Sequence, residues 1–158
     1  MAHRIPVLVG AVALAVASGT VALPSANAGT YVQTQSGKMR CTVTANGEGT
    51  GNDSPTVICE ASGRPPSLGG DNIGFLQAPM TDYGTHYHAA IVDSAGNFHF
   101  GDGGNIGGAG TGQDLVMTYG QTYRLHGWTI ESSTDGTRFT NDRTGHGMFV
   151  SIQDTYGF

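Results

Sequence analysis

Lysine is almost absent from this chain: Lys38 is the only one. Seven basic residues stand against twelve acidic ones, a formal net charge of −5. Phosphate backbones and anionic bilayers repel such a surface, so nucleic acid and charged membranes are disfavoured as partners. Leucine is scarce while glycine reaches 26 residues, a balance that starves helices and suits turns between short strands. No segment of ten or more residues carries a convincing 3.6-residue period. Past the N-terminus, no apolar run approaches the ~20 residues a spanning helix needs. There are only two cysteines, no other thiol is present to complete a structural zinc centre with them, and the Cys41-x17-Cys59 spacing is not a zinc-ligand spacing. No Gly-x-Ser-x-Gly elbow exists to present a nucleophilic serine.

The N-terminus is where long apolar character is concentrated. Met1-Ala2-His3-Arg4 carries a positive charge, and Ile5 to Leu23 is almost entirely Val, Ala, Leu and Gly. Ser25-Ala26-Asn27-Ala28 supplies the small-x-small pattern of a signal-peptidase site, which predicts residues 1–28 as a signal peptide cleaved before Gly29. An uncleaved anchor is the rival, since about 20 apolar residues can cross a bilayer. Pro6, Gly10, the Ser18-Gly19-Thr20 interruption and the Ala26-Asn27-Ala28 site argue against it. No cysteine lies near the site to take a lipid, and the lone Arg4 makes no twin-arginine signal. The expected product is one secreted domain, Gly29 to Phe158, without a membrane span, for the extracellular space or cell envelope. Losing Arg4 leaves it six basic residues against twelve acidic, a net of −6.

Short β-branched and aromatic runs alternate with Gly, Asn, Asp, Ser and Pro clusters. Strands are predicted over Thr30–Gln35, Met39–Ala45, Thr56–Ala61, Gly74–Gln77, His86–Val92, Asn97–Phe100, Leu115–Thr118, Thr122–Ile130, Thr137–Thr140 and Met148–Ile152. That pattern describes an all-β, single-domain antiparallel sandwich, or alternatively a small β-barrel. Tyr123 and Leu125 fall in one phase of the Thr122–Ile130 run and Trp128 and Ile130 in the other. A bulge or bend at Gly127 is expected, letting one strand serve both sheets or turn a barrel corner. Asp135-Gly136 reads as a tight hairpin turn, and 141–147 as a polar loop.

An even cysteine count in an exported chain favours a disulfide between Cys41 and Cys59 over two buried thiols or half a metal site. Hairpin register agrees. With residues 46–55 as the loop, Thr44 faces Thr56, Val43 faces Val57 and Cys41 faces Cys59. Directly opposed pairs have Cβ atoms about 4.5–5.5 Å apart, near disulfide reach.

The stretch from Gly127-Trp128-Thr129-Ile130 through Thr137-Arg138-Phe139-Thr140-Asn141-Asp142-Arg143-Thr144-Gly145-His146-Gly147-Met148-Phe149-Val150-Ser151 resembles that of small exported actinobacterial, mycobacterial-type proteins. With the two cysteines and the signal segment, the likeness covers most of the mature chain. It implies an origin and an envelope or extracellular setting. That group is uncharacterised, so no activity and no catalytic residue carry over.

Among residues that carry chemistry, His86-Tyr87-His88 puts two imidazoles on one face of a strand, a spacing metal ligands use. Whether His99 joins them depends on the turn Asp93-Ser94-Ala95-Gly96. A four-residue loop pairs Val92 with Asn97 and gathers His86, His88 and His99 on one face, with Tyr87, Ala89, Ile91, Phe98 and Phe100 on the other. A three-residue loop with Gly96 as a bulge pairs Asp93 with Asn97, sends His99 to the opposite face and brings Phe98 and Phe100 round. Turn chemistry favours the second register and amphipathicity the first. The cupin pattern of His-x-His followed by Glu is missing, and exposed or hydrogen-bonded strand histidines are the default expectation over a metal site.

Gly101 to Gly112 holds seven glycines, with Asp102, Asn105 and Asp114 in or beside it. It lacks the Lys and Ser/Thr of a phosphate-binding loop and opens no helix. Gly112 sits where a calcium-binding nonapeptide needs Asp, and no repeat follows. A connection between strands is expected. Glu48, Glu60 and Glu131 are the only glutamates and suggest no acid/base pair; a pair assembled from distant Asp residues stays open. Arg143 and His146 could meet an anion, though a polar hairpin tip is the plainer expectation. No cofactor is implied. The first expectation is therefore a binding protein of the envelope or extracellular space. A small, possibly metal-dependent hydrolase using His86 and His88 is the alternative, and a structural, antigen-like protein without a dedicated ligand is a third.

Overall fold

The computed structural model describes residues 29–46, 53–61, 74–101, 106 and 114–158. The expected signal segment and its cleavage site before Gly29 lie outside the described residues on their N-terminal side, as do most of the Gly101–Gly112 loop and 47–52 of the first hairpin loop. Eleven strands are described: β1 (Thr30–Thr34), β2 (Met39–Thr44), β3 (Thr56–Ala61), β4 (Ala89–Asp93), β5 (Phe98–Gly101), β6 (Leu115–Met117), β7 (Thr122–Leu125), β8 (Trp128–Ser132), β9 (Thr137–Asn141), β10 (Gly147–Val150) and β11 (Thr155–Gly157). They form two sheets ordered β5-β4-β3-β2-β1-β6 and β11-β10-β9-β8-β7. The sheets pack face to face as a β-sandwich, not a closed barrel. Among the described residues, no helix is long and apolar enough to cross a membrane.

Alternation builds the core. Cys41, Val43, Val57, Cys59, Ala90 and Val92 point inward from the first sheet and meet Trp128, Ile130, Phe139, Met148 and Val150 from the second. All eleven are fully buried. The first hairpin has the expected register, with Cys41 opposite Cys59 and Val43 opposite Val57. The two cysteines are bonded, their Cα atoms 4.0 Å apart.

Four features depart from the sequence reading. The run Thr122–Ile130 is two strands. His126 (φ 51°) and Gly127 (φ 79°) both lie in the left-handed region and reverse the chain, so Leu125 pairs with Trp128 and Tyr123 with Ile130. Two consecutive positive φ angles define the primed turn that matches strand twist. The change of phase at Gly127 is thus a hairpin within one sheet, and none of the described strands serves both sheets. Second, Gly74–Gln77 is a turn, with the Ala78 amide bonded to the Phe75 carbonyl at 2.9 Å. Third, β11 adds an edge strand beside β10. Fourth, β6 joins β1 in parallel, pairing Val32 with Leu115 and Thr34 with Met117. Every other pairing between the named strands is antiparallel.

β5 and β6 occupy opposite edges of one sheet, and Ile106 and Asp114 are the described residues between them. Ile106 is buried in a cluster with Ile58 and Ala89, with Ile91 packed alongside. Those residues alternate with the core-facing set, so Ile106 touches the outer face of the sheet.

Candidate functional site

The hairpin turn decides where the histidines go. Ile91 pairs with His99, and Val92 with Phe98. Gly96 (φ 89°) completes a three-residue loop, fixed by Asp93 Oδ1 accepting the amides of Ala95 and Asn97 at 2.9 and 3.0 Å. Burial pushes the Asp93 carboxyl up, but the Asn97 side-chain amide and the turn's backbone amides outweigh it and hold the carboxyl below its ordinary range. The four-residue register is thereby excluded. Phe98 and Phe100 turn to the core, while His99 is exposed on the outer face with Ile91. The apolar face gathering Tyr87, Ala89 and Ile91 does not form, because Ala89 and Ile91 belong to the outer cluster.

His86 and His88 precede β4, with Tyr87 between them packed on the core. The His86 Nδ1 lies 2.6 Å from the Ala78 carbonyl oxygen, and the His88 carbonyl accepts the Ala61 amide. At the far end of the sandwich His126 Nε2 meets the Thr30 hydroxyl at 2.8 Å, and burial pushes its pKa down. The His146 Nδ1 is 3.3 Å from the Phe158 carbonyl oxygen. Arg143 and His146 sit in a loop organised by Asn141, whose Oδ1 accepts the amides of Arg143 and Thr144. Among the described residues, no three His, Cys, Asp or Glu side chains are grouped to hold a metal ion.

The strongest charged cluster pins Ile106 and Asp114. Arg40 grips Asp114 with two bonds, Nε to Oδ2 at 2.6 Å and Nη2 to Oδ1 at 2.9 Å. Its Nη1 donates to the Ile106 carbonyl at 2.8 Å, and its guanidinium lies 4.5 Å from the Tyr31 ring centroid. Arg40 holds the Asp114 carboxyl below its usual range, and Asp114 raises Arg40 in return. Glu60 accepts the Ile106 amide at 3.2 Å. Burial pushes Glu60 up, while that amide, His88 and Arg40 pull it down. Both carboxylates and the guanidinium engage protein groups, so this cluster fastens a loop. Nothing in the spacing of Arg40, Glu60 and Asp114 announced it, because three strands bring them together.

Two features at the β1–β2 end of the sandwich look outward. Residues 74–88 form an ordered loop anchored by Phe75, fully buried, and Ala78. Thr81 donates its amide to the Thr85 carbonyl at 2.7 Å, and Tyr87 its amide to Pro79 at 3.1 Å. Met80 and His86 form an isolated β-bridge. This frame holds Tyr83 90% exposed, with Met80 and Leu76 also largely in solvent. The Leu76 amide reaches the Ile152 carbonyl at 3.4 Å, tying the loop to the β10–β11 turn.

Beside that turn lies a polar cleft of about 220 Å³, lined by the β1–β2, β8–β9 and β10–β11 turns and by Tyr119. Ser132 and Thr137 are a cross-strand pair on the inward face of the second sheet, and Thr137 lines the cleft. They are 3% and 1% exposed, and neither hydroxyl has a partner among the described residues. An unpaired buried hydroxyl costs about 1–3 kcal/mol. The alternation of Trp128, Ile130 and Ser132 places a hydroxyl where the core pattern asks for an apolar residue.

No protein-family model, curated protein or solved structure matches this chain.

Proposed function

We propose that this chain is an exported binding protein of the extracellular space or cell envelope that engages a protein partner through the 74–88 loop. One observation carries the reading: Tyr83 stands 90% exposed on a loop whose backbone is hydrogen-bonded and whose base is sunk in the core. Ordering a loop in order to hold an aromatic ring in water makes physical sense where a second surface will cover it. A rigid tyrosine brings large contact area to an interface at little entropy cost. The disulfide Cys41–Cys59 suits an oxidising compartment, and the actinobacterial resemblance of the 127–151 segment points the same way. The hydrolase alternative lacks equal support, because His86 and His88 do not meet a third ligand among the described residues.

The test is capture from envelope and culture-medium fractions by immobilised residues 29–158, run in parallel with Tyr83→Ala and Met80→Ser/Tyr83→Ala. A component retained by the parent and lost from both variants is the expected result. Equal capture by all three, or none by the parent, would overturn the reading.

A further inference from the structure

We propose that the cleft at the β1–β2 end is a binding site for one small, uncharged, polyhydroxylated ligand, of the size and chemistry of a single sugar ring. The inference goes beyond the protein-binding tip and does not depend on it.

Size comes first. At about 220 Å³ the cleft falls below the ~300–1,000 Å³ of sites that enclose drug-sized molecules. It has room for about seven waters at ~30 Å³ each. One compact polar molecule fits such a volume, and a peptide segment or a lipid chain does not.

Charge narrows the class. Lys38 and Asp135 both line the cleft, one of each sign, so an anion or a cation gains from one and loses to the other. Neither makes an ion pair among the described residues. The remaining walls are largely hydroxyl and amide groups, with Tyr119 and Ile152 adding apolar surface. Hydroxyls beside an apolar surface complement a ring that carries O–H groups at its rim and C–H groups on its faces.

Preorganisation separates the walls from the recognition groups. Ser133 Oγ donates to the Gly136 carbonyl at 2.9 Å and stiffens the β8–β9 turn. Ser151 Oγ donates to the Asp154 carbonyl at 3.0 Å and does the same for β10–β11. Thr34 Oγ1 accepts the Met39 amide at 3.1 Å and sets β1–β2. These side chains are occupied in shaping three turns. Thr137 is not: it lines the cleft, is 99% buried, and its hydroxyl has no partner. Ser132 faces it across the ladder in the same state. Ser132 lies behind the wall, so Thr137 is the lining residue whose unpaired hydroxyl a hydroxylated ligand would engage, since such a ligand both donates and accepts.

Thr137→Val tests this because it removes the hydroxyl and keeps the branched shape. Two-dimensional amide NMR of 15N-labelled residues 29–158 follows titration with glycerol, D-glucose, D-galactose and N-acetyl-D-glucosamine, with succinate and inorganic phosphate as charged probes. The expected result is saturable shifts confined to the cleft amides, such as those of Lys38, Tyr119 and Gln153, with at least one neutral probe and neither anion. In Thr137→Val that probe binds about tenfold more weakly, as for one lost hydrogen bond. The midpoint of urea unfolding stays the same or rises, because the hydroxyl has no structural partner to lose. Absence of cleft shifts with every neutral probe overturns the proposal. Stronger shifts with an anion, or unaltered binding in Thr137→Val, do so as well. A marked fall in unfolding midpoint would also refute it, by showing that the hydroxyl serves the fold.

Discussion

Replacing Cys41 and Cys59 by alanine tests the central covalent feature of the fold. The bond joins positions 18 residues apart. Closing a loop of that length removes on the order of 11 cal/mol/K of entropy from the unfolded chain, about 3 kcal/mol at 25 °C. Both sulfurs are fully buried between the sheets, so the alanine pair adds a packing loss of about 1–2 kcal/mol. Reduction of the parent protein leaves the sulfurs in place and separates the two contributions. Trp128 is the only tryptophan, is fully buried and sits in the opposite sheet, so its fluorescence reports loss of sheet-on-sheet packing. Urea unfolding followed at Trp128 should show a loss of about 3 kcal/mol on reduction and about 4–5 kcal/mol in Cys41→Ala/Cys59→Ala. The melting temperature should fall on the order of 10 °C or more. The denaturant slope should rise, because the uncrosslinked unfolded chain exposes more surface. A combined loss under about 1 kcal/mol would refute the loop-closure reasoning.

Asp114→Asn should cost about 1–3 kcal/mol at neutral pH by weakening the Arg40 grip. Asp114 titrates lower folded than unfolded, so its contribution is present above the unfolded value of about 3.9 and drains away as pH falls through the depressed folded one. Parent and variant stabilities should therefore converge in strong acid, measured by urea unfolding across pH; a constant gap would contradict the assignment. Gly127→Ala should cost about 1–2 kcal/mol, all of it backbone strain, because nothing lies within 4 Å of the added Cβ; a loss above about 3 kcal/mol would point to a steric cause. Calorimetric titration with zinc should show no stoichiometric site, in the parent or in His86→Ala/His88→Ala; micromolar binding abolished in the double variant would restore the hydrolase reading. Tyr83→Ala should leave stability within about 0.5 kcal/mol of the parent, since a larger loss would mean the ring packs on the fold.

What the sequence determined by itself is the part of the structure set by neighbours along the chain. Alternation and turn residues were enough for an all-β fold, because side chains of a strand face opposite ways and Gly, Asn and Asp punctuate the runs, while the choice of sandwich over barrel needed the packing of the two sheets. The Cys41–Cys59 register followed from the length of one hairpin loop. At the second hairpin, the Asp93-Ser94-Ala95-Gly96 turn and the amphipathic pattern disagreed, and the turn prevailed. The Asp93 carboxylate bonds two turn amides directly, whereas Phe98 and Phe100 gain their burial only once the second sheet is present. His126-Gly127 misled for a related reason: the chemistry of a primed turn looks, in one dimension, like a change of phase within a long strand.

Only tertiary structure decided the rest. The parallel β1–β6 pair sets Asp114 beside Arg40, and Ile106 packs on the outer face where it meets Arg40 and Glu60. The exposure of Tyr83 depends on burial of Phe75 eight residues earlier. The cleft combines turns from both sheets with Thr137 at the start of β9. Alternation can say that Ser132 and Thr137 face inward; whether a partner waits there is settled by the opposing sheet, far away in sequence.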